Sequence, residues 1–307
     1  MSQSLSSAVV SIALATIGSG VARADAVQDW NGPWGAPVNV GPPLNTEFND
    51  MYALVTRDGL TVYFSSDRPG GLGGDDLWVS YRESTSDPWG TPENLAVLNS
   101  AAADSLSVLS TSEKVMFFHS TRAGGCGSGD LWVSRKSSFR DTWRPPENMG
   151  CVVNSTAFEN APAFYAHDSD LTYLYFGSNR AGGVGDFDVW VTTTTDQDLE
   201  TAVFTEPVNV TELNSVARDT RTFVRKDGRE IYITTDRSGG VGGLDMWVST
   251  RDDNTQPWST PTNPGPGINS TAADGSPALS KDGKTLYFFS TRAGGLGLRD
   301  IWVATRD

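Results

Sequence analysis

Five acidic residues occupy equivalent places in this chain: Asp50, Asp104, Glu159, Asp219 and Asp274. Each follows by five residues an Asn that precedes Ser or Thr, namely Asn45, Asn99, Asn154, Asn214 and Asn269. Carboxylates gathered on one face suit three kinds of chemistry. They can hold a hard cation such as Ca2+, grip a polar ligand, or act in pairs in glycoside hydrolysis. Like charges held close cannot all stay ionised unless a cation, backbone N–H groups or Arg compensates them. An acid repeated this regularly also suits a purely architectural role, such as hydrogen bonding between repeats.

The neighbours of these acids differ from repeat to repeat. One residue before them stand Asn49, Ala103, Phe158, Arg218 and Ala273; two residues after stand Tyr52, Leu106, Ala161, Arg221 and Ser276. Tyr52, Arg218 and Arg221 beside carboxylates suit a polar or anionic ligand, such as a sugar acid or a peptide terminus. Alternatively, the two Arg neutralise the acids. Other catalytic constellations are absent from the sequence. His119 stands in a strand-like segment and reads as a packed residue, while His167 falls in a turn on the opposite face. The two give no Ser-His-Asp pattern.

These residues are positioned by a repeat. The pattern R-x-G-G-x-G-x-x-D-x-W-V starts at Arg68, Arg122, Arg180, Arg237 and Arg292. A second element, W-x-x-P-x-N, alternates with it at Trp34, Trp89, Trp143, Phe204 and Trp258. Segments such as 285–290 (TLYFFS) and 300–305 (DIWVAT) are rich in β-branched and aromatic residues and read as short strands. Each repeat therefore reads as four strands. Strand A follows the Asn-Ser/Thr step, B precedes the motif Arg, C carries the motif Trp, and D carries the second element. The fold expected is all-β, a five-bladed β-propeller of four-stranded blades. The chain enters on a D element and leaves on a C strand, so an N-terminal outer strand should complete the last blade and hide the open sheet edges. Each motif Arg is expected to bridge to its motif Asp, as in Arg68 to Asp76, across strands B and C. The G-G-x-G-x-x-D string is not a calcium nonapeptide repeat, because its Asp falls one position late and its copies are far apart.

Residues 276–292 (SPALSKDGKTLYFFSTR) resemble the TolB-type, WD-like propeller repeat. With the flanking Asn-Ser and G-G-x-G-x-x-D-x-W strings, the repeat is similar to propellers found beside OmpA-like domains in bacterial envelope proteins. The resemblance spans roughly residues 34–307 and implies fold rather than activity. No OmpA-like segment is present, so no peptidoglycan anchor is expected.

Composition narrows the partners. Lys plus Arg is 23 and Asp plus Glu is 37, a formal charge of −14. That balance argues against nucleic acid, whose backbone is held mainly by Lys and Arg. Residues 1–24 resemble a signal peptide ending in Ala22-Arg23-Ala24, although the opening segment lacks Lys and Arg. Residues 25–33 read as a linker and 34–307 as a single propeller. No apolar run in the mature chain is long enough for a transmembrane helix. The expected location is periplasmic or extracellular. There Cys126 and Cys151, on one face in neighbouring segments, should form a disulfide; in a reducing compartment they would be free thiols. The main functional expectation is an exported propeller that binds a protein, glycan or other ligand on its acid-lined face. The alternative is a carbohydrate-active hydrolase or lyase using paired ring carboxylates.

Overall fold

A computed structural model describes residues 33–138, 140–166 and 171–306. The expected export segment and His167 lie outside the described residues. The first strand is β1 (Val38–Asn39). Blade 1 then contains β2 (Asp50–Val55), β3 (Thr61–Ser66), β4 (Asp76–Tyr81) and β5 (Glu93–Asn94). Blade 2 contains β6 (Asp104–Leu109), β7 (Val115–Ser120), β8 (Asp130–Arg135) and β9 (Glu147–Asn148). Blade 3 contains β10 (Glu159–Ala166), β11 (Thr172–Ser178), β12 (Asp188–Thr194) and β13 (Val208–Asn209). Blade 4 contains β14 (Asp219–Val224), β15 (Glu230–Thr235) and β16 (Asp245–Thr250), with its D element reduced to an antiparallel bridge from Val248 to Thr262. Blade 5 contains β17 (Asp274–Leu279), β18 (Thr285–Ser290) and β19 (Asp300–Thr305).

The ring closes as the order of elements predicts. Strand β1 pairs antiparallel with β19, Val38 opposite Val303 and Asn39 opposite Trp302. The last sheet therefore runs β1-β19-β18-β17, combining the two ends of the ring.

Apolar cores lie between neighbouring blades. Tyr63, Leu77 and Val79 of blade 1 meet Met116, Phe118 and Trp132 of blade 2 in one cluster. Ala53, Val62 and Phe64 of blade 1 meet Tyr287 and Ile301 of blade 5 in another. The Asn of each Asn-Ser/Thr step acts as a piece of false strand. Asn99 accepts from Leu77 N at 2.8 Å through its side-chain oxygen and donates to Leu77 O at 2.9 Å. Asn154 does the same to Leu131, and Asn269 to Met246.

The G-G-x-G loop locks each blade to the next. A Cβ on Gly73 would stand 1.8 Å from Ala102 O in the following D–A connection, so only glycine permits the approach. Cys126 and Cys151 bridge the corresponding loop of blade 2 to the next D–A connection, with Cα atoms 5.6 Å apart. The expected disulfide is therefore present.

Candidate functional site

The five ring acids begin the innermost strands, but their carboxylates face into the blades. All five residues have 0% exposure. Asp50 shows why. One of its oxygens accepts from Thr46 N at 2.6 Å and Thr46 Oγ1 at 2.7 Å. The other accepts from Ser66 Oγ at 2.6 Å and Arg68 Nη2 at 2.5 Å. The same arrangement pairs Arg122 with Asp104, Arg180 with Glu159, Arg237 with Asp219 and Arg292 with Asp274.

This geometry corrects two expectations. First, the motif Arg meets the acid of strand A, not the Asp of strand C. Its guanidinium lies against strand B and C aromatics, Phe64 and Trp78 in the case of Arg68, and also donates to Leu44 O. Asp76 instead turns into its own glycine loop, where its carboxylate accepts from Leu72 N at 2.6 Å and Gly73 N at 3.3 Å. Gly71 lacks the Cβ that would occupy that oxygen's place. Second, the ring acids do not present an open carboxylate mouth. Their oxygens already accept from N–H, O–H and guanidinium groups, surroundings that suit an anion and not a Ca2+ ion. Among the described residues no group of three or more His, Cys, Asp or Glu is placed to hold a metal.

The channel side of these strands carries the asymmetry. Two residues after each acid, Tyr52, Leu106, Ala161, Arg221 and Ser276 all adopt left-handed backbone, with φ between 50° and 61°. Each sits at a bulge, where strand A slips out of register with strand B. Left-handed backbone is costly for residues other than Gly, Asn and Asp. Here it recurs in all five blades and points these five side chains into the channel. They line a small cavity of about 50 Å³ at its neck.

Above the neck, on the face of the D–A connections and B–C loops, opens a cleft of about 530 Å³. Its lining joins Tyr52, Phe158 and Phe187 with Asp75, His119, Asn160, Arg218 and Arg221. The structure thus brings Tyr52, Arg218 and Arg221 to one cleft and leaves the five ring acids behind it. Arg221 lies over the rings of Tyr52 at 5.3 Å and Phe289 at 5.5 Å. Arg218 stands at the rim, over Phe187 at 5.4 Å and paired with Asp186 at 3.2 Å.

Two titratable groups of the cleft are perturbed. Burial, then the charge of Asp67, raises the carboxyl of Asp75 above its ordinary value; Arg299 and Arg221 oppose the rise. Asp67 stands nearby, exposed, and its two oxygens accept from Asn49 N at 2.8 Å and Asn49 Nδ2 at 2.7 Å. Burial pushes the imidazole of His119 down to about 4. Its Nδ1 lies 2.8 Å from Glu159 O, and because a carbonyl only accepts, Nδ1 carries the proton. Sequence reasoning did not single out Asp75, yet a signal existed. The residue before the motif Asp varies as Asp75, Gly129, Phe187, Leu244 and Arg299. In each blade its carbonyl accepts from the backbone N–H of the next ring acid, as Asp75 O does from Asp104 N at 2.7 Å. Those varied side chains therefore stand at the channel mouth.

No family model matches the chain, and no characterised protein matches it in sequence. Solved structures share its fold. An α-L-arabinofuranosidase from Lactobacillus brevis superposes with a TM-score of 0.60 at 12% identity, over 86% of this chain and 92% of that one. An endo-arabinase from Bacteroides thetaiotaomicron VPI-5482 gives 0.58 at 15% identity, over 89% and 97%. TolB from Acinetobacter baumannii gives 0.45 at 15% identity, over 85% and 55%. The likeness supports the five-bladed propeller fold. At these identities the likeness extends to the fold and no further, so it does not confirm the narrower TolB-type name.

Proposed function

We propose that this chain is a carbohydrate-active propeller working at the upper mouth of its channel, and that it hydrolyses glycosidic bonds. The observation that supports this most is the cleft itself. It offers aromatic faces for sugar rings, amide and guanidinium donors for hydroxyls, and one desolvated carboxyl, Asp75. A second and water-exposed carboxyl, Asp67, lies outside that lining but near enough for its charge to raise Asp75. Two carboxyls in unlike surroundings are what glycoside hydrolysis needs. In this reading Asp75 gives its proton to the leaving glycosidic oxygen as the bond to the anomeric carbon breaks. Asp67 takes a proton from the water whose oxygen adds to that carbon. The ring acids serve as the frame, since each is committed to an Arg. The fold neighbours include, by their names, an endo-arabinase, an α-L-arabinofuranosidase and a xylan β-1,4-xylosidase, which makes arabino- and xylo-oligosaccharides the first substrates to offer. The disulfide fits an oxidising, periplasmic or extracellular location.

The test is release of reducing ends from these oligosaccharides. Asp75→Asn should lower turnover by about 100-fold or more, the usual worth of a positioned acid, while leaving binding in place. Wild-type binding without turnover would refute hydrolysis and leave a glycan-binding propeller. Absence of both, with neutral and uronic-acid oligosaccharides alike, would refute the carbohydrate reading.

A further inference from the structure

We infer that the upper mouth takes an acidic glycan, with Arg221 seating the carboxylate of a uronic acid at the neck of the channel. This rests on the reading of that mouth as a glycan site and adds the charge of the sugar.

The guanidinium of Arg221 makes no hydrogen bond and no ion pair with any described residue. Among the described residues the ring faces of Tyr52 and Phe289 hold it, and its charge reaches the Asp75 carboxyl without a direct contact. Its Nε is buried and unpartnered. The five motif Arg are the contrast, since every one meets a carboxylate. A buried charged donor without an acceptor is expensive to maintain. A planar guanidinium with free N–H groups is also the side chain best shaped to receive a carboxylate in two-point contact.

The surroundings agree. Ser107, Thr222 and Ser276 line the same neck cavity as Arg221, and the side-chain hydroxyl of each is buried without a partner. Four residues that line these roughly 50 Å³ thus each carry a buried polar atom without a partner. That space suits a few water-sized atoms, hence a carboxylate group but not a sugar ring. The ring belongs in the cleft above, and Tyr52, Leu106 and Arg221 belong to both cavities. Among the five left-handed positions at the neck, only Arg221 carries a charge. A neutral sugar leaves that charge unanswered.

The experiment is calorimetric titration, at fixed ionic strength, with trigalacturonate, its methyl ester and sodium acetate. Wild-type protein should bind trigalacturonate about 10- to 100-fold more tightly than the ester, as expected for one charge-assisted contact. Arg221→Gln should abolish that difference by weakening the acid alone, and Arg221→Lys should retain part of it. Ser276→Ala, a smaller change, should cost the acid several-fold and the ester nothing, which keeps the idea testable if Arg221 variants melt early. Equal binding of acid and ester by wild type would overturn the inference and leave the glycan reading intact. Binding of acetate but of neither oligosaccharide would overturn the glycan reading and the inference with it. No binding of any probe, with the neck filled by water alone, would overturn both.

Discussion

Asp104→Ala separates an architectural ring acid from a ligand-contacting one. The Asp104 carboxylate is fully buried and accepts from Ser100 N at 2.6 Å, Ser100 Oγ at 2.8 Å and Arg122 Nη2 at 2.5 Å. Arg122 is itself mostly shielded, lies over Trp132 at 5.0 Å, and also donates to Leu98 O. Removing the carboxylate strands a guanidinium in a protein-lined slot and orphans two donors of Ser100. Breaking such a buried pair from one side costs about 3–5 kcal/mol. For a ring of this size that is a fall in melting temperature of roughly 6–10 °C. Arg122→Met should cost a similar amount, because it leaves a buried carboxylate without its cation. The double variant should cost clearly less than the two single changes together, as partners in one network do. Thermal melts of the four proteins provide the measurement, with ligand titration on each folded sample. A loss of stability below about 1 kcal/mol for Asp104→Ala would refute the argument from burial. So would a large loss of glycan affinity at unchanged stability, which would return the ring acids to the binding surface.

His119 should make the protein acid-sensitive. Its folded-state pKa, about 4, lies below the ordinary 6.5. The unfolded chain therefore binds more protons between these values, and stability falls as pH drops from 6.5 towards 4, by about 3 kcal/mol at most. In His119→Phe, with the residue that blade 5 uses at this place (Phe289), that part of the pH dependence should vanish from denaturation midpoints; an unchanged slope would count against it. Reduction of the Cys126–Cys151 bond, which closes 25 residues, should cost about 3 kcal/mol, read as a lower melting temperature in the Cys126→Ser/Cys151→Ser protein. If Asp75 donates the proton, activity should persist above the ordinary carboxyl range and fade as Asp75 ionises. Arg299→Gln, by removing the largest opposing charge, should move that alkaline limb of the pH–rate profile still higher; a limb that stays in place would argue that Asp75 is not the donor.

The blades, their closure and the disulfide were legible because each rests on spacing. Repeated Trp, Gly and Asn mark strand ends, and strand order alone places Cys126 near Cys151. What spacing cannot convey is which way a side chain turns. Arg68 has two acids within its own blade, and the choice of Asp50 over Asp76 depends on a glycine loop that absorbs Asp76. The bulge at Tyr52, Leu106, Ala161, Arg221 and Ser276 was equally hidden, since none of these residues favours left-handed backbone. Yet comparing repeats did bring Tyr52, Arg218 and Arg221 to notice, because departures from the repeat survive at the channel. Asp75 lay within reach of the same comparison, one residue before an Asp that drew the attention.

The junction of β1 with β19 also bears on how the molecule comes into being. Within the ring, Val38 and Asn39 are among the first residues made, and their partners Val303 and Trp302 among the last. During synthesis the early strand must wait, unpaired, while four blades form beside it. The delay is one of timing, because the entropy of closing a longer loop grows only slowly with length. Contacts so distant along the chain slow the final step. Once made, the seam is also the shortest pairing in blade 5, two residues wide and reinforced by the bonds from Gly35 N to Thr305 O and from Val40 N to Ile301 O. A ring clasped this way can breathe at its latch while the cores between its other blades stay packed.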